Sequence, residues 1–233
     1  EKGSQQAQDA LYEMVAMNAY LNMLALDNWG LVFKKERSDQ VSVILRGQEA
    51  IDYIEGKLLS VVDLMNNDNG PGRLNKDAVS GLLARLYLNA AVYRDPYGTP
   101  NFTKEDMDKV IQYTSNVISG SHSLSAEYFD VFSDDNHTNS ELIFALDQRG
   151  VLETEHSRWA YWPISGDQVP RPEFPSTRGT DAVAATPDFF QHWVDAYGSE
   201  DPADADARFF MENTIIPEEL KDLTGVTTEN DSE

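Results

Sequence analysis

The fold is decided by the stretch Arg73-Leu-Asn-Lys-Asp-Ala-Val-Ser-Gly-Leu-Leu-Ala-Arg-Leu-Tyr-Leu-Asn-Ala-Ala-Val-Tyr93. Its apolar side chains recur every three or four residues and so share one face of a helix, whereas Arg85 and Asn89 fall elsewhere. The apolar face comprises Val79, Leu82, Leu83, Leu86, Ala90 and Tyr93. Alanines and a glycine in the same stretch allow neighbouring helices to approach closely. The stretch therefore predicts a core helix.

A long helix is also predicted before this stretch, from Gln5 to Trp29. It is followed by Gly30, which suits the left-handed position after a helix. We expect Trp29 to pack under that turn, and the tyrosines at 87, 93 and 97 to lie between helices. The apolar stripe of this first helix is formed by Ala10, Met14, Met17, Leu21 and Leu24.

Two more helices complete the predicted platform. Apolar positions between Asp39 and Met65 indicate a second long helix, after a short link over residues 31–38. The capping box Thr103-Lys-Glu-Asp106 opens a fourth helix that ends at Gly120. Residues 125–132 predict a short helix, and residues 141–146 an extended or buried segment. Four long helices joined by short turns predict an α-helical repeat or bundle over residues 5–120.

The composition excludes several classes of function. The 233 residues include 40 acidic and 18 basic side chains, which gives a net charge of −22. Such a charge repels phosphate backbones and anionic lipid headgroups, so the sequence disfavours nucleic-acid and membrane-surface binding and favours neutral or cationic ligands. The chain has no cysteine, which removes disulfides, thiolate metal sites and cysteine nucleophiles.

The two ends of the sequence suggest a piece of a longer protein. Glu1-Lys-Gly-Ser4 lacks the basic and then apolar pattern of a signal peptide, and no apolar run is long enough to span a membrane. The last residues, 225–233, are polar and end without an element boundary. We therefore expect further segments outside this sequence.

The region from Gly150 to Thr186 has little periodicity and is rich in aromatic residues. Flat aromatic faces bind the C–H patches of sugars, and Trp159, Tyr161 and Trp162 are the best candidates for such a platform. Arg178 could donate hydrogen bonds to sugar hydroxyls. Two alternatives stay open, namely that the aromatics fasten a long loop and that the arginine forms a surface ion pair. Thr186-Pro-Asp188 then opens a helix over 187–197.

The sequence offers no recognisable metal or catalytic motif. The four histidines lack zinc-site spacing, and no nucleophile elbow or phosphate-binding loop occurs. Asp201, Asp204 and Asp206 could gather around a calcium ion, although the full calcium-loop pattern is missing and a solvated acidic turn is the simpler interpretation. Glycoside hydrolysis needs two selected carboxylates, and nothing in the sequence selects two among 40. We therefore predict no cofactor and no enzymatic activity.

Several short motifs, in a fixed order, resemble one protein family. They include an aromatic and glycine pair after the first helix, the central helix itself, and a late Asp-x-Arg marker. The motifs are Ala19-Tyr-Leu-Asn-Met-Leu24, Asp27-Asn-Trp-Gly30, Leu74-Asn-Lys-Asp-Ala78 through Leu83-Ala-Arg-Leu-Tyr-Leu88, Val117-Ile-Ser-Gly120, Tyr128-Phe-Asp-Val-Phe132, Asn139-Ser-Glu-Leu-Ile-Phe144 and Asp206-Ala-Arg-Phe209. Taken together, they resemble the SusD/RagB group of nutrient-binding outer-membrane lipoproteins.

The resemblance implies a mainly α fold with two parts. A tetratricopeptide-like α/α superhelix would occupy residues 1–147, and an irregular, loop-rich ligand-binding region with one helix near 187–197 would occupy residues 148–233. Proteins of this group are similar in capturing oligosaccharide at the bacterial cell surface for a SusC-like TonB-dependent transporter. Their lipid anchor depends on a cysteine that this sequence does not contain, so an outer-membrane location is implied by the resemblance alone.

Two other classes of function remain open at this stage. A helical-repeat scaffold would bind a protein partner in the groove between its helices and would not need residues 148–186. An all-α glycoside hydrolase would turn over the sugar that it binds, and loss of one carboxylate would abolish turnover while leaving binding. The two classes are separated from glycan capture by a binding assay with product analysis.

Overall fold

The computed structural model describes residues 3–133, 135–146 and 186–197. These residues belong to two units, residues 1–147 and residues 148–233. The first unit contains four long helices and a two-stranded sheet, and the mainly α prediction is confirmed. In order, its elements are α1 (Gln5–Trp29), β1 (Val32–Lys34), β2 (Val43–Leu45), α2 (Gly47–Leu59), α3 (Lys76–Arg94) and α4 (Lys104–Ile118), followed by two 3-10 helices, Tyr128–Phe132 and Asn136–Thr138.

Helix α3 is the centre of the first unit. It packs most extensively on α4 and also contacts α2 and α1. The side chain of Asn75 caps its N-terminus by accepting a hydrogen bond from the backbone N–H of Ala78 at 2.8 Å. All six residues of the predicted apolar face are buried, as are Ala78 and Ala84. The core-helix prediction is therefore confirmed, including which face is buried.

Helix α1 has the predicted bounds but buries a different face. Gly30 follows it with a φ of 65°, and its backbone N–H donates to the carbonyl of Leu26. Met14 and Leu21 of the predicted stripe are largely exposed, so that part of the prediction is wrong. The buried residues are Ala16, Ala19, Asn22, Met23, Ala25 and Leu26. Small side chains let the backbone of α1 approach its neighbours, and this outweighs the larger stripe.

Two ion pairs fix the position of α1 along α3. Glu13 pairs with Arg73, just before α3, and Asp27 pairs with Arg85 of α3 and accepts a hydrogen bond from Tyr93. Glu13 lies three residues before the buried Ala16, and Asp27 directly follows the buried Leu26. These polar contacts therefore mark both ends of the buried face.

The second predicted helix begins too early. Residues 43–45 form β2, which pairs antiparallel with β1 in the register Val32↔Leu45, Phe33↔Ile44 and Lys34↔Val43. Helix α2 starts only at Gly47, whose φ of +55° prevents the helix from extending upstream, and Arg46 before it is extended. The run of β-branched residues around position 43 favours a strand. The predicted link over 31–38 thus contains a strand as well.

Helix α4 begins at the predicted capping box. The side chain of Thr103 accepts a hydrogen bond from the backbone N–H of Asp106 at 3.1 Å. The helix stacks Tyr113 on Tyr87 of α3, with ring centroids 5.9 Å apart, but leaves Ile111 exposed. Residues 141–146, predicted to be extended or buried, form neither a helix nor a strand and are partly buried as far as Ala145. Phe144 packs edge-on against Tyr20 of α1.

The described part of the second unit is α5 (Pro187–Tyr197). Thr186 caps it, because its hydroxyl oxygen accepts a hydrogen bond from the backbone N–H of Phe189 at 3.2 Å. The helix prediction over 187–197 is confirmed. The ligand-binding role given to residues 148–233 stays a prediction, since most of them lie outside the described residues. Within the described ranges, no helix has the length and apolar character needed to cross a membrane.

Leu83 and Leu88 of α3 offer a matched test of the core. Leu83 is fully buried and Leu88 is half exposed. We expect Leu83→Ala to lower the free energy of unfolding by about 2–5 kcal/mol because it leaves a cavity, and Leu88→Ala to change it by about 0.5 kcal/mol. Urea unfolding followed by circular dichroism measures both. Equal losses would contradict the placement of α3.

Candidate functional site

The predicted binding residues Trp159, Tyr161, Trp162 and Arg178 lie outside the described residues, as do the three aspartates of the possible calcium site. Their roles stay predictions. Within the described ranges, no group of three or more metal-binding side chains is found. The candidate site is therefore built from residues of the first unit.

An aromatic cleft of about 320 Å³ lies where three helix ends meet. This aromatic cleft is lined by Trp29, Gly30, Arg46, Gly47, Arg94, Pro96 and Tyr97. Trp29 is 69% exposed and Tyr97 is 99% exposed. The expectations that Trp29 packs under its turn and that Tyr97 lies between helices are therefore wrong, whereas Tyr87 and Tyr93 are buried as expected.

Backbone geometry places the residues of the aromatic cleft. The left-handed Gly30 ends α1 directly after Trp29, and the left-handed Gly47 starts α2 directly after Arg46. A Cβ at position 47 would lie 3.2 Å from the carbonyl oxygen of Arg94, so the start of α2 closely approaches the end of α3. Glycine is therefore favoured at position 47 for two reasons, namely the positive φ and the lack of room for a Cβ beside Arg94.

A turn after α3 presents Tyr97. The backbone N–H of Gly98 donates to the carbonyl of Asp95 at 3.3 Å, and the Asp95 carboxylate accepts from the backbone N–H of Tyr97. Proline in the second position, Pro96, and glycine in the fourth are typical of such turns. The turn holds the backbone of Tyr97 while its ring stays in solvent.

A second, polar cleft of about 380 Å³ lies between α2, α3 and α4. Arg94 bridges it, donating to both carboxylate oxygens of Asp106 at 2.7 and 2.8 Å and to Gln48 at 2.7 Å. Tyr87 donates to Glu55 at 2.6 Å, and Lys109 lies 3.3 Å from the same carboxylate and over the Tyr87 ring. The charged groups of this cleft are thus largely occupied by one another.

The electrostatics of the polar cleft follow from these contacts. Hydrogen bonds from Arg94 lower the pKa of Asp106 against the opposing effect of burial, and Thr103 adds to the lowering. Burial and the hydrogen bond to Glu55 raise the pKa of Tyr87. Burial opposes the charge of Lys109, but its hydrogen bond to Glu55 raises its pKa overall. Asp106 is therefore held ionised, which suits a structural ion pair and not a proton donor.

Sequence reasoning missed the aromatic cleft because its members are far apart in the chain. The signals were present singly: an aromatic residue before a helix-ending glycine, and a proline and tyrosine in the turn after α3. What joins them is the packing of α1, α2 and α3. No periodic pattern reports that three helix ends are adjacent.

No family model matches the chain. Two curated proteins are similar to it. The starch-binding protein SusD of Bacteroides thetaiotaomicron is 30% identical over 159 residues, which cover 66% of this chain and 27% of SusD. A SusD-like protein of Bacteroides ovatus is 28% identical over 134 residues, which cover 55% of this chain and 24% of that protein. The chain belongs to the SusD-like family.

Solved structures agree with this SusD-like fold. A protein crystallised with a xylogluco-oligosaccharide is 23% identical, with a TM-score of 0.57, and the match covers 72% of this chain and 34% of that one. NanU of B. fragilis is 17% identical, with a TM-score of 0.52, over 75% of this chain and 39% of its own. The SusD-like chain spans about a quarter of the length of its curated relatives.

The buried ion pair of the SusD-like chain predicts a pH-dependent stability. Folding lowers the pKa of Asp106. The ion pair therefore stabilises the fold fully when the pH is above the pKa of Asp106 in the unfolded chain, and this stabilisation is lost as the pH falls through the pKa of Asp106 in the folded chain. We expect Asp106→Asn to lower the free energy of unfolding by about 2–3 kcal/mol at neutral pH. This difference from the unmodified protein should shrink below a pH of about 4. Urea unfolding from neutral pH to pH 3 measures it.

Asp108 provides the control, since it is on the same helix, exposed, and paired with Lys104. Asp108→Asn makes the same charge change and should cost at most about 0.5 kcal/mol at any pH. If the cost of Asp106→Asn were the same at both ends of the pH range, the ionised pair would not be its cause.

Proposed function

We propose that this SusD-like protein captures oligosaccharide at the bacterial cell surface without cleaving it and passes it to a TonB-dependent outer-membrane transporter. The similarity to the starch-binding protein SusD carries the proposal, because it extends over about two thirds of the chain. A lipid anchor outside this sequence would hold the protein at the outer membrane, and a SusC-like transporter subunit would be its partner.

The described surface is compatible with a sugar ligand. Sugar rings offer apolar C–H faces for aromatic side chains and hydroxyls for a few polar partners. Trp29 and Tyr97 provide exposed aromatic faces in one cleft, with guanidinium groups beside them. The aromatic residues Trp159, Tyr161 and Trp162, with Arg178, are proposed as a further contact region on the grounds of their sequence alone.

The contacts of the polar cleft favour binding over catalysis. A glycosidase needs one carboxyl group with a raised pKa and a second one placed across the scissile bond. Asp106 has a lowered pKa, and Glu55 is engaged by Tyr87 and Lys109. These carboxylates stabilise helix contacts, so we propose that they take no part in cleaving sugar.

The decisive experiment is a binding screen with product analysis on the same samples. Purified protein is tested against soluble polysaccharides and oligosaccharides by affinity electrophoresis and calorimetry, and the mixtures are analysed for shortened products. Binding without products is expected. Product formation would establish a glycoside hydrolase instead, and the absence of binding across the panel would remove the support for glycan capture.

The aromatic residues proposed from the sequence have their own prediction. Trp159→Ala and Trp162→Ala should each weaken binding to the best glycan of the screen by about tenfold, because a lost stacking face removes buried apolar area. Calorimetry measures the affinity, and circular dichroism shows that the variants are folded. Unchanged affinity in both folded variants would remove these residues from the site while leaving glycan capture intact.

A further inference from the structure

We infer that the aromatic cleft binds a carboxylated sugar unit, such as a uronic or sialic acid, with Arg46 as the partner of its carboxylate and Trp29 and Tyr97 as its stacking faces. This inference rests on the proposed function, since it assumes a glycan ligand. It goes further by assigning a site in the described residues and a chemical class of sugar.

Arg46 is set apart from the other arginines of the first unit. The other four each pair with a carboxylate: Arg37 with Asp39, Arg73 with Glu13, Arg85 with Asp27 and Arg94 with Asp106. Among the described residues, the side chain of Arg46 makes one hydrogen bond, a long one of 3.5 Å from Nη1 to the carbonyl of Gly30. In a chain with more than twice as many acids as bases, an arginine without a carboxylate partner is available for a ligand.

The residues that line the cleft do not neutralise the positive charge of Arg46. Among the described residues that line it, none carries a carboxylate. Arg94 also reaches the cleft, but its guanidinium is occupied by Asp106 and Gln48. Arg46 therefore supplies the free positive charge, and its planar group can donate two parallel hydrogen bonds to a carboxylate.

The aromatic residues restrict the ligand to one with an apolar face. Trp29 and Tyr97 are both exposed in the cleft, and a volume of about 320 Å³ accommodates a small ring system. A sugar acid combines an apolar C–H face with one carboxylate. A free inorganic anion would use Arg46 but gain nothing from the aromatic rings.

The strong negative charge of the chain does not prevent such binding. The sequence favoured neutral or cationic ligands because long-range repulsion acts on any anion. At physiological ionic strength charges are screened beyond about 8 Å, so the group in direct contact decides local affinity. That group is Arg46, whose guanidinium has no carboxylate partner among the described residues.

The test uses pairs of probes that differ in one kind of group. Suitable pairs are trigalacturonic acid and its methyl ester, a glucuronic acid-substituted xylo-oligosaccharide and its unsubstituted parent, and sialyllactose and lactose. Calorimetry with the full chain at physiological salt measures each affinity. We expect the acidic member of at least one pair to bind about tenfold more tightly than its neutral partner.

The variants assign the effect to the cleft. Arg46→Gln should lower the affinity for the acidic member to that for the neutral member, so that the preference is abolished, while Trp29→Ala should weaken both members. Arg37→Gln makes the same charge change on an exposed arginine outside the cleft, and Phe102→Ala removes an exposed aromatic ring outside it. Both controls should bind as the unmodified protein does.

Three results would overturn the inference. They are equal binding of acidic and neutral members, a preference that survives Arg46→Gln, and an equal loss in Arg37→Gln, which would indicate overall charge. If these pairs do not bind while neutral polysaccharides do, the inference fails and glycan capture stands. If no glycan binds in this test or in the wider screen, both fail.

Discussion

The burial of α3 is the constraint on which the rest of the first unit depends. This helix contacts α1, α2 and α4, and its Leu83, Leu86 and Ala90 are fully buried. A helix surrounded in this way needs small residues where backbones approach and large ones where they diverge. Once α3 is fixed, the ends of α1 and α2 beside its C-terminus are fixed as well, and the aromatic cleft forms at that point.

Polar contacts fix the positions of the helices along their axes. An acidic chain has few cations, and most described arginines join two elements that are distant in sequence: Arg73 and Arg85 hold α1, and Arg94 holds α2 and α4. Apolar packing alone tolerates sliding along a helix axis, whereas the two-pronged contacts of Arg73 with Glu13 and of Arg94 with Asp106 do not. Arg46 differs in having no carboxylate partner among the described residues, and it lies in the cleft where two aromatic rings are exposed.

The division between scaffold and binding surface follows from the same physics. Helix interiors satisfy their own backbone groups and bury their side chains, so freely exposed aromatic and charged groups collect at helix ends and turns. Trp29, Arg46 and Tyr97 all occupy such positions. A family similarity establishes the helical scaffold of this SusD-like chain, but the chemistry of a ligand site depends on these end residues and must be determined for this chain.

The sequence by itself determined the bounds of α1, the capped starts of α4 and α5, and the buried face of α3. Those features depend on neighbours in the chain: periodicity, capping side chains and glycine. Only the tertiary structure decided that α1 buries Ala16 and Met23 while Met14 stays exposed, that residues 43–45 pair as a strand, and that Trp29, Arg46 and Tyr97 share a cleft. These outcomes depend on which surfaces meet across long sequence separations, and a local pattern holds no information about that meeting.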